Sequence, residues 1–230
     1  MPNLWIFGDS FSSNITNNGN ISKLLELKGL TQMKSWGEIL SEKLNYNFKN
    51  LAKGGISNYS IFQDFCDNCN LIEVDDIVII GWGLLDKFRI SVNNKFVDIH
   101  PYGFNEYKNF TKESIANFIK NRTECFDNQY KWADEIYSWE NGITSLAKNK
   151  GFKIFFWSTE DNRIIYNKTD LFKLNRNYIL PECKNTLISY LNYLGCTSIA
   201  DESDNIIEDS HFGIEGHKKQ AEIFYNEILK

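Results

Sequence analysis

Two short segments, one near each end of the chain, hold residues whose types and order suit nucleophilic catalysis. The first is Gly8-Asp9-Ser10-Phe11-Ser12, directly after the apolar run Leu4-Trp5-Ile6-Phe7. A serine hydroxyl is a weak nucleophile until a neighbouring base takes its proton, and the base in turn needs a group to orient it. The second segment, Glu208-Asp209-Ser210-His211-Phe212-Gly213-Ile214-Glu215-Gly216-His217, offers both kinds of group. His211 lies in a polar stretch with two carboxylates immediately before it. Alone, the first segment reads as a common turn and the second as a helix cap. Together, at the two ends of one chain, they outline a Ser-His-acid arrangement. Backbone N–H groups in the turn around Ser10 could also face the oxyanion that forms when an acyl carbonyl is attacked.

Such residues need a scaffold that brings chain ends together, and the hydrophobic pattern supplies one. Residues 3–7, 48–52, 75–81, 152–157 and 196–200 read as strands. The clearest is Asp75-Asp76-Ile77-Val78-Ile79-Ile80-Gly81, with four consecutive β-branched residues. Between them lie helical patterns. Ser35 and Glu38 form a capping box ahead of Trp36, Ile39, Leu40 and Leu44. Trp132, Ile136, Trp139, Ile143 and Leu146 recur at helical intervals over 131–149, closed by Gly151. Residues 187–194 and 214–229 complete the set. Strands alternating with helices imply a parallel sheet covered on both faces, with ligands beyond the carboxyl ends of the strands. Ser10 is expected at that edge. Residues 86–130 break the alternation and read as an insertion in a single 1–230 domain. Arg89 to Ile99 is expected to form a hairpin around Asn93-Asn94, and the aromatic-rich segment after Pro101 to fold over the sheet edge.

With 230 residues, 42% hydrophobic and 24% charged, the chain is long enough to bury one large core. A net charge of −5 without a basic run excludes the usual nucleic-acid binder. No stretch reaches membrane-spanning length, and the apolar run before Gly8 is too short for a signal peptide, so a cytoplasmic protein is expected. The five cysteines are scattered. Cys66-Asp-Asn-Cys69 has no second pair, and neither His100 nor His211 has finger spacing to it, so reduced thiols are expected and no zinc. His100-Pro101 reads as a turn, and His217 as packing or hydrogen-bonded structure. Trp82 and Trp157, which end buried strands, read as core, with a sugar-stacking platform as the other reading. No G-x-S-x-G elbow, Walker A motif or Rossmann glycine pattern is present.

The two segments resemble the SGNH, or GDSL-type, hydrolases. The first block of that family matches at Gly8-Asp9-Ser10, the glycine of the second at Gly55, and the last at His211 with Gly216-His217 behind it. The resemblance spans residues 3 to about 229 apart from the insertion. It implies a flavodoxin-like three-layer α/β sandwich with a central parallel sheet of about five strands. It further implies Ser10 as nucleophile, oxyanion donors at the Ser10 and Gly55 N–H groups, and no metal or organic cofactor. Two departures stand out. Where the third block carries an Asn, this chain has Gly81-Trp82-Gly83-Leu84, so Gly83 stands in its place. The Gly83 N–H, the Trp82 indole or Arg89 are the candidate replacements, and pairing with a surface carboxylate is the equal alternative for Arg89. The Gly-Trp start followed by an arginine resembles a divergent, phage-like branch. The acid also differs: Glu208 holds the family's usual position, but Asp209, at shorter spacing, fits that branch and is preferred, with Glu208 in reserve. The implied activity is hydrolysis of a small acyl ester, such as an O-acetyl group on a carbohydrate. An acyltransferase, or a glycan-binding or virion-associated module that has lost catalysis, are the alternatives. The sequence leaves the oligomeric state open.

Overall fold

Six consecutive buried residues at Ile77–Trp82 leave that segment no face for solvent, so it must be a central strand with a layer on each side. That is its place in a computed structural model of the chain, which describes residues 1–13, 34–84, 87–92, 95–99, 129–159, 179 and 213–230. The elements in chain order are β1 (Asn3–Gly8), α1 (Trp36–Leu44), β2 (Asn47–Asn50), α2 (Asn58–Asn68), β3 (Ile77–Trp82), β4 (Phe88–Val92), β5 (Lys95–Ile99), α3 (Gln129–Lys150), β6 (Lys153–Ser158) and α4 (Ile214–Ile228). A short 3₁₀ turn, Cys69–Leu71, follows α2.

The main sheet is parallel, in the order β2-β1-β3-β6. Alternate residues of each strand face opposite layers. Trp5, Phe7, Val78, Ile80, Ile154 and Phe156 pack against Ile61 and Phe65 of α2 and Ile136, Ile143 and Ala147 of α3. Leu4, Ile6, Ile77, Ile79 and Trp157 pack against Trp36 and Leu40 of α1 and Ala221, Phe224 and Ile228 of α4. Two helices on each face make the expected three-layer α/β sandwich. The described residues hold four of the strands. The fifth expected strand, at 196–200, and the helix at 187–194 lie outside them.

Local chemistry explains the boundaries. Ser35 and Glu38 close the capping box of α1 in both directions, Glu38 N–H to Ser35 Oγ at 3.3 Å and Ser35 N–H to Glu38 Oε2 at 2.7 Å. β3 starts two residues later than its pattern suggests. Asp75 adopts φ 69°, and Asp76 turns its carboxylate inward to accept from Asn3 N–H at 2.7 Å and Trp5 Nε1 at 2.8 Å. β2 stops at Asn50 because the Asn50 side chain takes the Ala52 N–H at 2.9 Å. Helix α2 was not anticipated from the pattern. Its apolar contribution is small, with Ile61 and Phe65 as its buried hydrophobic residues, and its start is fixed by Ser57, whose hydroxyl accepts the Ser60 N–H at 3.3 Å.

Inside the expected insertion, β4 and β5 form the predicted antiparallel hairpin, with Val92 opposite Lys95 across Asn93-Asn94. It is clasped to the start of α2, where Asp98 Oδ1 accepts from the Ser57 hydroxyl at 2.6 Å and the Ser57 N–H at 3.2 Å. Residues 86, 93–94 and 100–128 of the insertion lie outside the described residues. Among those residues, no helix is long and apolar enough to cross a membrane.

Candidate active site

In an open parallel sheet, a crevice forms where neighbouring strands send their connections to opposite faces, beyond the strands' carboxyl ends. Here that point lies between β1 and β3, which pair in register from Leu4↔Ile77 to Gly8↔Gly81. The chain leaves β1 into the turn carrying Ser10, and leaves β3 at Gly83. The residues singled out for nucleophilic chemistry therefore meet at the edge where a ligand site is expected on topology alone.

The Ser10 turn is tightly held. Ser12 N–H donates to Asp9 C=O at 3.0 Å, and Phe11 N–H donates to Asp9 Oδ1 at 3.1 Å. The Trp36 indole donates to Phe11 C=O at 3.0 Å, and Asn50 Nδ2 to Ser12 C=O at 2.9 Å. Helix α1 on one face and the neighbouring strand β2 thus fix the turn's carbonyls, while Ser10 itself is half-buried. Among the described residues, neither its hydroxyl nor its N–H has a hydrogen-bond partner. That leaves the hydroxyl open to a base and the N–H open to an incoming acceptor.

Gly55 is placed to complement it. The Gly54-Gly55 turn follows β2, and a Cβ built at Gly54 would stand 3.8 Å from the Ser10 Cβ. Gly55 has φ +78°, a conformation strained for any side chain, and a Cβ there would meet nothing within 4 Å. Among the described residues its N–H also has no partner. Of the expected main-chain donors, Ser10 and Gly55 are thus uncommitted.

Gly83 and Trp82 are committed elsewhere, which corrects the expectation that either replaces the missing Asn. The Gly83 N–H donates to Asn58 Oδ1 at 2.7 Å, and Asn58 Nδ2 returns a bond to Gly83 C=O at 3.2 Å. The Trp82 side chain is 0% exposed. Its indole N–H donates to Glu140 Oε1 at 2.8 Å, and its ring stacks on Phe156 at 6.4 Å. Trp157 is equally buried, edge-on to Trp36 at 6.2 Å. Both tryptophans belong to the core, and neither is a sugar platform. Arg89 sits on β4 directly opposite Asp98, on the clasped hairpin.

A side chain at position 83 would force the Asp9 carboxylate to move. A Cβ there would lie 2.6 Å from Asp9 Oδ2. Asp9 is 1% exposed, and its Oδ2 forms an ion pair with Lys87 Nζ at 2.7 Å. Sequence reasoning missed Asn58 and Lys87. Asn58 lies in the stretch that carries Gly55, but nothing in sequence joins it to Gly83. Lys87 looks like one of many surface lysines until its side chain is seen to be only 8% exposed.

Glu140 is the other buried acid near this edge. Burial pushes its carboxyl up to about 8, against a smaller opposing effect of the Trp82 hydrogen bond. His217, on α4, accepts the Trp36 N–H at its Nδ1 at 3.1 Å, the structural role expected of it. Cys66 and Cys69 are free thiols at the far end of α2, away from the Ser10 edge. His211, Asp209 and Glu208 lie outside the described residues, as does His100.

No family model matches the chain, and no curated protein does. Solved structures do resemble it. The Bacillus subtilis protein YXIM matches with a TM-score of 0.50 at 12% identity, over 99% of this chain and 56% of its own. The chain thus spans a little over half the length of that protein, and the likeness establishes a shared fold. Two further structures match at lower scores. One, a lipolytic protein of the G-D-S-L family from Desulfitobacterium hafniense by its description, has a TM-score of 0.45 and 11% identity, with 99% of both chains covered. The other is an acetyl xylan esterase from Butyrivibrio proteoclasticus, with a TM-score of 0.42, 12% identity, and coverage of 99% of this chain and 63% of its own.

Proposed function

We propose that the chain is a serine esterase with Ser10 as its nucleophile, His211 as its base and Asp209 as the acid that orients the base. The observation that carries this reading is the Ser10 turn. It stands at the crevice between β1 and β3 with its hydroxyl and N–H uncommitted among the described residues, next to the equally uncommitted Gly55 N–H. In the proposed cycle, Ser10 Oγ attacks the acyl carbonyl as its proton passes to His211. The Ser10 and Gly55 N–H groups receive the oxyanion. Collapse expels the alcohol, which takes the proton from His211, and leaves an acyl-enzyme. Water, deprotonated by His211, then attacks the ester, and a carboxylic acid departs with Ser10 restored. The cycle uses no metal or organic cofactor. The proposed substrate is a small acyl ester of the O-acetyl class on a carbohydrate, in keeping with the family that the motif blocks resemble.

A fluorophosphonate probe tests the nucleophile directly. Wild type is expected to label, and Ser10→Ala to lose the label. Absence of labelling in wild type, or equal labelling of the variant, overturns the assignment. Replacing His211, Asp209 and Glu208 singly by alanine and following acetyl-ester turnover identifies the base and the acid. Product analysis with added alcohol separates the two outcomes of the acyl-enzyme: free acid from a hydrolase, a new ester from a transferase.

A further inference from the structure

The Asp9–Lys87 pair has an unusual address. It joins the turn of the proposed nucleophile to the segment after β3, and the Asp9 oxygen it uses is the atom that a Cβ at Gly83 would meet at 2.6 Å. Asp9 Oδ1 takes the Phe11 N–H at 3.1 Å and Oδ2 takes Lys87 Nζ at 2.7 Å. An ammonium carries three donors. Among the described residues Lys87 uses one of them, on Asp9, although its side chain is 8% exposed. Buried N–H donors left without acceptors are costly, and a lysine is rarely buried unless it is paired, as Lys87 is with Asp9. The spare donors stand at the carboxyl edge of β1 and β3. Besides the uncommitted Ser10 and Gly55 groups, other polar groups there are spent: the Gly83 N–H on Asn58, the Asn58 amide on Gly83, and the Trp82 indole on Glu140.

We propose that Lys87 is a catalytic residue of this site, anchored by Asp9 so that its remaining N–H donors meet the acyl oxygen on which negative charge develops when Ser10 attacks. The proposal rests on the esterase reading. The lysine donates hydrogen bonds and charge without losing its proton, so the bonds made and broken in the acyl-enzyme cycle are unchanged. Such a donor acts in a water-poor site, where removing one donor of this kind lowers kcat by about 10²–10³-fold. The Lys87 N–H donates to Leu84 C=O at 3.4 Å, and its Nζ reaches the same Asp9 oxygen that faces Gly83.

The experiment uses the full chain and p-nitrophenyl acetate. Lys87→Met is expected to lower kcat by about 10²-fold with KM changed little, while Ser10 remains the labelled residue. Lys87→Arg, which keeps the charge and donors, is expected to recover part of that loss. Lys87→Met leaves Asp9 as a buried unpaired carboxylate, so the double variant Asp9→Asn/Lys87→Met separates the two roles. If the double variant folds and stays slow, Lys87 acts on the substrate. If it regains wild-type kcat, Lys87 merely neutralises Asp9 and the proposal fails. It also fails if Lys87→Met keeps kcat within a few-fold of wild type. Absence of turnover and labelling in wild type removes the esterase reading itself, and this proposal with it.

Discussion

The two ends of the parallel sheet treat buried carboxylates in opposite ways. At the amino end, Asp76 is 1% exposed and fully served. It accepts from the Asn3 N–H and amide, the Trp5 indole and the Glu73 N–H, with the shortest at 2.7 Å. At the carboxyl end, Asp9 has one backbone donor and a lysine, and Glu140 has only the Trp82 indole among the described residues. Uncommitted N–H groups lie at the carboxyl end too, on Ser10 and Gly55. One end is built to be satisfied and the other to be completed by something else. The difference predicts that substitutions at the amino end damage stability, and those at the carboxyl end damage chemistry.

The largest effect tests that division. Ser10→Ala is expected to lower acetyl-ester turnover by about 10⁴-fold or more, with a melting temperature within a degree or two of wild type. Its half-buried side chain makes no hydrogen bond among the described residues that would be lost. A large loss of stability in Ser10→Ala, measured by thermal unfolding, would mean that the turn is structural and the contrast is drawn in the wrong place.

Glu140 sharpens the comparison through pH. Burial raises its carboxyl to about 8 from an ordinary 4.5, so the folded protein keeps a proton that the unfolded chain releases. Its contribution to stability is fully present below about pH 4.5. It falls as pH rises, by about 1.4 kcal/mol per unit across the window up to about 8. Glu140→Gln keeps an acceptor for the Trp82 indole and cannot ionise. Urea unfolding at pH 5 and pH 8 is expected to show wild type losing stability relative to the variant over that interval. A pH-independent difference between the two would show that Glu140 is not held protonated.

Asp76→Ala is the amino-end counterpart. It leaves several buried donors without an acceptor, at about 1–3 kcal/mol for an orphaned group, and is expected to lower stability by about 2–4 kcal/mol. Fluorophosphonate labelling of Ser10, measured on the folded fraction, is expected to be unchanged. Loss of labelling in molecules that remain folded would erase the distinction between the two ends.

Much of this was legible in the chain itself, for identifiable reasons. A buried β-strand announces itself by an unbroken apolar run, so β1, β3 and β6 were placed to within two residues. The capping box at Ser35 and Glu38 and the hairpin pairing of β4 with β5 follow from signals in nearby residues. What escaped depends on contacts between distant ones. Helix α2 has two deeply buried apolar side chains and starts on a serine cap, a weak periodic signal. The Gly83 N–H looked available because the clamp from Asn58 spans 25 positions. Trp82 looked like a possible donor because its partner, Glu140, is 58 residues away. The Asp9–Lys87 pair spans 78, and neither residue type advertises it. The segment carrying His211, Asp209 and Glu208 falls outside the described residues, so those assignments remain readings of motif and spacing.

The smallest effect concerns the other histidine near the carboxyl terminus, and it separates scaffold from chemistry within one short stretch. His217 is 4% exposed on the first turn of α4, and its Nδ1 accepts the N–H of Trp36, the first residue of α1. A helix's first N–H groups have no partner within the helix, so one helix here caps another through a side chain. To accept at Nδ1 the ring carries its hydrogen on Nε2. His217→Ala removes that acceptor and leaves the buried Trp36 N–H unpaired. The expected cost is about 1 kcal/mol, a fall in melting temperature of about 2–4 °C for a domain of this size. Because Trp36 also holds the Phe11 carbonyl through its indole, labelling of Ser10 in the variant checks how far the disturbance travels. Unchanged labelling means that the Ser10 turn is fixed independently by Asn50 and Asp9. A fall in step with His211→Ala would make His217 part of the chemistry and move the boundary between scaffold and site into α4.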